Sequence, residues 1–153
     1  MRIELVQDWM TRNVITVTPF TGLFDAYNLL VENRIRRLPV LEDGRLVGIL
    51  TDSDIMDIRP SSLNSLSGLE MSYFFAQLKV GEAMTVDPMT VGPGETIGEA
   101  ASIMLEEKIS SLPVIDDNER LVGIITESDI FRLVVHNWRQ QQQESSEPYT
   151  HYG

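Results

Sequence analysis

The stretch Arg45-Leu46-Val47-Gly48-Ile49-Leu50-Thr51-Asp52-Ser53-Asp54-Ile55 returns about 75 residues later as Arg120-Leu121-Val122-Gly123-Ile124-Ile125-Thr126-Glu127-Ser128-Asp129-Ile130. The match extends towards the N-terminus. Met10-Thr11 answers Met84-Thr85, Thr16-Val17-Thr18-Pro19 answers Thr90-Val91-Gly92-Pro93, and Ile35-Arg36-Arg37-Leu38-Pro39-Val40 answers Ile109-Ser110-Ser111-Leu112-Pro113-Val114. One inserted residue, in the turn where Glu42-Asp43-Gly44 faces Asp116-Asp117-Asn118-Glu119, keeps the copies aligned. Roughly two positions in five are identical, which marks an internal duplication.

Each copy reads strand, helix, strand, strand, helix. Ile15-Thr16-Val17 is a short β-type run ended by Pro19. Leu23, Ala26, Tyr27, Leu30 and Val31 recur at helical spacing over residues 23–33. Leu38 to Leu41 predicts a second strand, Asp43-Gly44 a hairpin, and Leu46 to Leu50 a near-continuous apolar strand buried on both faces. Thr51 opens the closing helix. In the second copy the elements fall at residues 89–91, 97–107, 112–115, 121–125 and 127–138. The spacing predicts repeats over residues 6–58 and 80–138, a linker with a short helix over 59–79, and a disordered Gln- and Ser-rich tail over 139–153.

A unit of about fifty residues is marginal alone, so the copies are expected to share one α+β body. The 153 residues carry a net charge of −11 and 42% hydrophobic residues. That balance supports a core and repels phosphate backbones, so nucleic acid is not an expected partner. With no cysteine, thiol chemistry is excluded. No stretch reaches the roughly 20 apolar residues of a membrane span, and the acidic start does not read as a secretory signal. A cytoplasmic protein is expected.

The catalytic inventory is thin. Gly92-Pro93-Gly94 is a turn and not a phosphate fingerprint, and His136 and His151 make neither a zinc site nor a triad. No enzyme activity and no bound metal are expected. Trp9, Trp138, Phe74 and Phe75 read as packing or dimer-contact residues.

The element order, the Leu-Pro-Val strand and the doubled Gly-x-x-Thr-x-x-Asp ending resemble the CBS domain, and two copies resemble the tandem pair called a Bateman module. The opening Val6-Gln7-Asp8-Trp9-Met10-Thr11 and the stretch over residues 67–83 are further similar to small bacterial CBS proteins of the acetoin-utilisation type. The resemblance implies two β-α-β-β-α repeats packed with pseudo-twofold symmetry and a pair of clefts between them. It also implies homodimers, a regulatory role read by an effector protein, and binding of adenine nucleotides such as AMP, ADP and ATP, or of S-adenosylmethionine. No permanent cofactor is implied. The alternative is an assembly module whose clefts stay empty.

The site residues have two readings. Thr51 with Asp54, and Thr126 with Asp129, fit a near variant of the capping box at a helix start. The same atoms suit a phosphate and a ribose diol, which is the role the resemblance gives them. It places Thr11, Thr16, Thr85 and Thr90 at the adenine edge, with Thr16 opposite Asp129 and Thr90 opposite Asp54. It places Ile15, Val40, Met89 and Val114 in an apolar wall, although all four also read as core. Arg36 and Arg37 are expected at phosphates, an arginine fork being suited to them. Their counterparts, Ser110 and Ser111, would leave the other cleft weaker or more neutral.

Overall fold

The protein was analysed as a computed structural model, which describes residues 3–58 and 68–146, with the side chain of Ser146 left out. In chain order the elements are α1 (Val6–Trp9), α2 (Leu23–Asn33), β1 (Arg37–Glu42), β2 (Arg45–Thr51), α3 (Asp52–Asp57), α4 (Gly68–Ala76), α5 (Val80–Ala83), β3 (Thr85–Val86), α6 (Ile97–Glu107), β4 (Ser111–Ile115), β5 (Leu121–Thr126) and α7 (Glu127–Ser146). The fold is α+β, with two small antiparallel sheets related by the duplication.

Both hairpins form, by different turns. Asp43 and Gly44 sit at φ 52° and 78°, the two left-handed positions of a type I′ turn. The inserted residue gives the second hairpin a longer turn. There Asp116 Oδ1 accepts from the backbone N–H groups of Asn118 and Arg120 at 2.9 and 3.0 Å, and Glu119 takes the left-handed conformation.

The expected first strand of each copy shrinks to one parallel bridge, Val17 to Val40 and Val91 to Val114. The cause is a missing donor. Leu41 N donates to Val17 O at 2.8 Å and Val17 N to Pro39 O at 3.1 Å. The next rung would need an N–H on Pro39, which has none. Pro113 stops the second copy in the same way, after Ile115 N to Val91 O and Val91 N to Pro113 O.

The cores are crossed. Val6 and Met10, at the head of the first copy, pack with Ile97, Leu112, Ile125 and Leu133 of the second. Val80 packs with Leu23, Leu38, Leu50 and Ile55 of the first, with Met84 against the same cluster. Backbone pairing follows the same exchange: Thr11 bridges Ile124, and β3 adds to β2 with Ile49 opposite Thr85. Gly48 and Gly123 permit that approach. A Cβ on Gly48 would stand 2.9 Å from Thr85 O and 2.7 Å from Met84 Sδ, and one on Gly123 2.9 Å from Thr11 O and 2.6 Å from Met10 Sδ. The packing bodies are therefore not the sequence repeats, since each repeat lends its first turn to the other.

Two further expectations change. Tyr27 and Val31 of α2 stay exposed while Leu23, Ala26 and Leu30 are buried, so the core-facing stripe is narrower than the apolar pattern. Helix α7 runs past Trp138 to Ser146, so the stretch expected to be disordered begins as helix. Gln and Arg are good helix formers and extend it without burial. The rest of the expected tail and residues 59–67 of the linker lie outside the described residues. Trp9 packs against the second core and donates from Nε1 to Glu4 at 2.9 Å, and Phe75 packs against the first core.

Candidate functional site

Because β3 pairs with β2, Thr85 stands beside the corner where β2 becomes α3. Thr51 N donates to Asp54 Oδ2 at 2.9 Å and Asp54 N donates to Thr51 Oγ1 at 3.0 Å, which completes the capping box. The other carboxylate oxygen is turned to the opposite copy: Thr85 Oγ1 donates to Asp54 Oδ1 at 3.0 Å. The second corner repeats the plan. Thr126 N donates to Asp129 Oδ2 at 2.9 Å, Asp129 N to Thr126 Oγ1 at 3.4 Å, and Thr11 Oγ1 to Asp129 Oδ1 at 3.4 Å.

The two corners differ in one respect. Asp129 is fully buried, and its Oδ1 also accepts from Arg132 Nη1, one turn along α7. The counterpart of Arg132 in the first copy is Asp57.

Each corner opens on a cleft. The first, of about 760 Å³, is lined by Thr51 and Ile49 from the first copy and by Thr85, Met89, Ile109 and Ser111 from the second. The second, of about 550 Å³, is lined by Thr126 and Ile124 from the second copy and by Thr11, Ile15, Ile35 and Arg36 from the first. Each cleft thus joins a strand–helix corner from one copy to the opening segment of the other. Arg37, Ser110 and Glu127 line both. Arg37 is half-buried, and desolvation lowers its pKa from the usual arginine value; Asp52 and Glu127 oppose that shift and Arg36 adds to it.

Of the residues singled out in the sequence, Thr11, Ile15, Arg36 and Thr126 come to one cleft, Thr51, Thr85, Met89 and Ser111 to the other, and Arg37 and Ser110 to both. Thr16 faces a separate hollow beside the hairpin turns, with Asp43, Arg45 and Glu119. Thr90 is exposed and lines neither cleft. Val40 and Val114 are fully buried in the cores, because their strand faces point inward. The pairing of Thr16 with Asp129 and of Thr90 with Asp54 gives way to Thr11 and Thr85, five residues earlier in each copy. Ile15 and Met89 are joined in the apolar lining by Ile49 with Ile124 and Ile35 with Ile109, which were not expected there. Ile49 is only half-buried, because β2 is buried on one face and not on both as its continuous apolar run suggested.

The model of the CBS domain matches residues 6–61 and 80–136. The chain belongs to the CBS-domain family. As a tandem CBS protein it is similar to protein MJ1225 of Methanocaldococcus jannaschii, at 37% identity over 131 residues, covering 84% of this chain and 46% of the relative. The chain thus spans about half the length of that curated relative. It is similar to the crystal structure of CBSX2 in complex with AMP, at 33% identity and a TM-score of 0.73, covering 87% of this chain and 97% of that one. It is also similar to a Vibrio cholerae structure described as an acetoin utilization protein (AcuB), at 30% identity and a TM-score of 0.74, covering 96% of this chain and 100% of that one. Among the described residues no helix is long and apolar enough to cross a membrane.

Proposed function

We propose that the protein is a regulatory CBS module that senses adenine nucleotides in the two crossed clefts. The observation that carries this reading is the pair of corners in which a Thr–Asp couple from one copy meets a threonine hydroxyl from the other. In each, one carboxylate oxygen serves the helix cap, and the other faces a threonine hydroxyl that a ribose hydroxyl can replace, although at Asp129 that oxygen is shared with Arg132. Asp54 and Asp129, which line neither cleft, take the ribose once their threonine partners swing aside, and Thr51 and Thr126 take the phosphate. Thr11 and Thr85 stand at the adenine edge against Ile15, Met89 and the four lining isoleucines. Arg36 and Arg37 meet the phosphates. AMP in the CBSX2 structure supports the same ligand class here.

The module works without catalysis, as a cytoplasmic homodimer whose state an effector protein reads. A nucleotide drives that signal only by as much as its affinity differs between two arrangements of the repeats or protomers. Thermal denaturation with AMP, ADP and ATP tests the reading. A ligand at one hundred times its Kd adds about 2.7 kcal/mol to the folded state and raises the melting temperature. An unchanged melting temperature with all three at millimolar concentration would favour the assembly module with empty clefts.

A further inference from the structure

The two clefts share a plan but carry opposite charge. Around the Thr126 cleft, Arg34, Arg36, Arg37 and Arg132 stand against Glu127. Around the Thr51 cleft, Arg37 and Lys108 stand against Asp52, Asp87, Glu107 and Glu127. The duplication shows where the difference arose. Arg34 and Lys108 are equivalent, as are Asp52 and Glu127, and these keep their sign. Asn13 of the first copy is Asp87 in the second, Asn33 is Glu107, and Arg36 is Ser110. Past the turn, Asp57 of the first copy is Arg132 in the second. Every one of these changes makes the Thr126 side more positive or the Thr51 side more negative. Solvated surface charge that had drifted at random would have no reason to favour one direction at four positions. In a protein of net charge −11, concentrating four arginines around one hollow also runs against the overall composition.

We infer that the clefts take adenosyl ligands of opposite tail charge: a 5′-phosphorylated adenosine in the Thr126 cleft, and an adenosine with a cationic 5′ substituent, such as a sulfonium, in the Thr51 cleft. This rests on the adenosyl reading above and adds a division of labour to it. Arginine forks suit phosphate oxygens and repel a sulfonium. A cleft rimmed by Asp87 and Glu107 does the reverse, since a like charge held near a dianion opposes binding. The larger volume of the Thr51 cleft, about 760 Å³ against about 550 Å³, accommodates the longer amino-acid tail of a sulfonium such as S-adenosylmethionine. The module then reports two metabolite pools at once instead of one nucleotide twice.

Calorimetric titration of the full chain with AMP and with S-adenosylmethionine decides the matter. Both bind the wild-type protein, and saturation with AMP leaves S-adenosylmethionine affinity within about twofold, because the ligands occupy different clefts. Arg36→Ser, a change of an exposed side chain that lines only the Thr126 cleft, weakens AMP about tenfold and spares S-adenosylmethionine. The pair Asp87→Asn and Glu107→Gln, both exposed, weakens S-adenosylmethionine by a similar factor and spares AMP. Competition between the ligands, AMP binding without S-adenosylmethionine, or equal losses in both sets of variants overturns the division while the adenosyl reading stands. Failure of both ligands to bind the wild-type protein at millimolar concentration overturns the adenosyl reading itself, and the division with it.

Discussion

The hydroxyl of Thr85 donates to Oδ1 of Asp54 at 3.0 Å, across the boundary between the two copies. Its twin, Thr11 on Asp129, is longer at 3.4 Å and shares its oxygen with Arg132. One corner is closed by a neutral donor from the other copy, and the other mainly by a cation from its own helix.

The cost of losing each threonine follows from that difference. A hydrogen bond to a charged acceptor contributes more than a neutral one, and an acceptor left without any donor costs most. Thr85→Val is expected to destabilise by about 1 kcal/mol and Thr11→Val by less than half as much. Urea denaturation with unchanged slopes measures both, and a larger loss at Thr11 would contradict the assignment.

Gly48 and Gly123 are expected to reject a methyl group. The Cβ would meet the backbone oxygens of Thr85 and Thr11 at 2.9 Å in both cases, and backbone cannot swing aside as a side chain does. Alanine at either position is expected to cost about 1–3 kcal/mol. Gly98, exposed within α6 with only Thr96 Oγ1 near, at 3.8 Å, provides the contrast. Gly98→Ala is expected to stabilise by about 0.5–1 kcal/mol through helix propensity. Melting temperatures moving together at all three sites would refute the crossed packing as the cause.

Cutting the chain between the copies is expected to leave neither half folded. Fragments 1–79 and 80–153 each lack the turn that completes their core: Val80 and Met84 for the first, Val6 and Met10 for the second. Circular dichroism of the isolated fragments is expected to show no cooperative melting, with a single transition recovered on mixing. A fragment that melts cooperatively alone would contradict this.

Arg37 is expected to serve binding at no gain to stability. Its charge is disfavoured by desolvation, partly offset by Asp52 and Glu127. Arg37→Met keeps the aliphatic stem and removes the charge, so the melting temperature is expected to hold or rise, as when a site built for function is relieved of its cost. AMP affinity is expected to fall about tenfold, the loss of roughly 1.4 kcal/mol. Lower stability with unchanged AMP affinity would make Arg37 a structural residue.

Much of the fold was legible because local signals agreed. The helical spacing over Leu23–Asn33 and Ile97–Glu107 and the Asp43-Gly44 turn each have a cause within a few residues. The expected strands at Ile15–Val17 and Met89–Val91 failed because their pairing depends on Pro39 and Pro113, more than twenty residues away. Of the four threonines expected at the adenine edge, Thr11 and Thr85 meet the carboxylates in place of Thr16 and Thr90, for the same kind of reason. Thr11 and Thr16 are alike as sequence, and only the bridge from Thr11 to Ile124 decides which one meets a carboxylate.

The sequence by itself determined that the protein is a doubled unit, where its principal helices and hairpins lie, and that each copy ends in a threonine and an aspartate at a helix start. These follow from repetition, periodicity and turn chemistry, which act over short spans of chain. Tertiary structure alone decided that each copy completes its twin's core, that every cleft draws residues from both, and which threonine of the opposite copy meets each aspartate. Those outcomes depend on contacts between residues 31 to 118 positions apart, a separation over which local pattern carries no information about which groups meet.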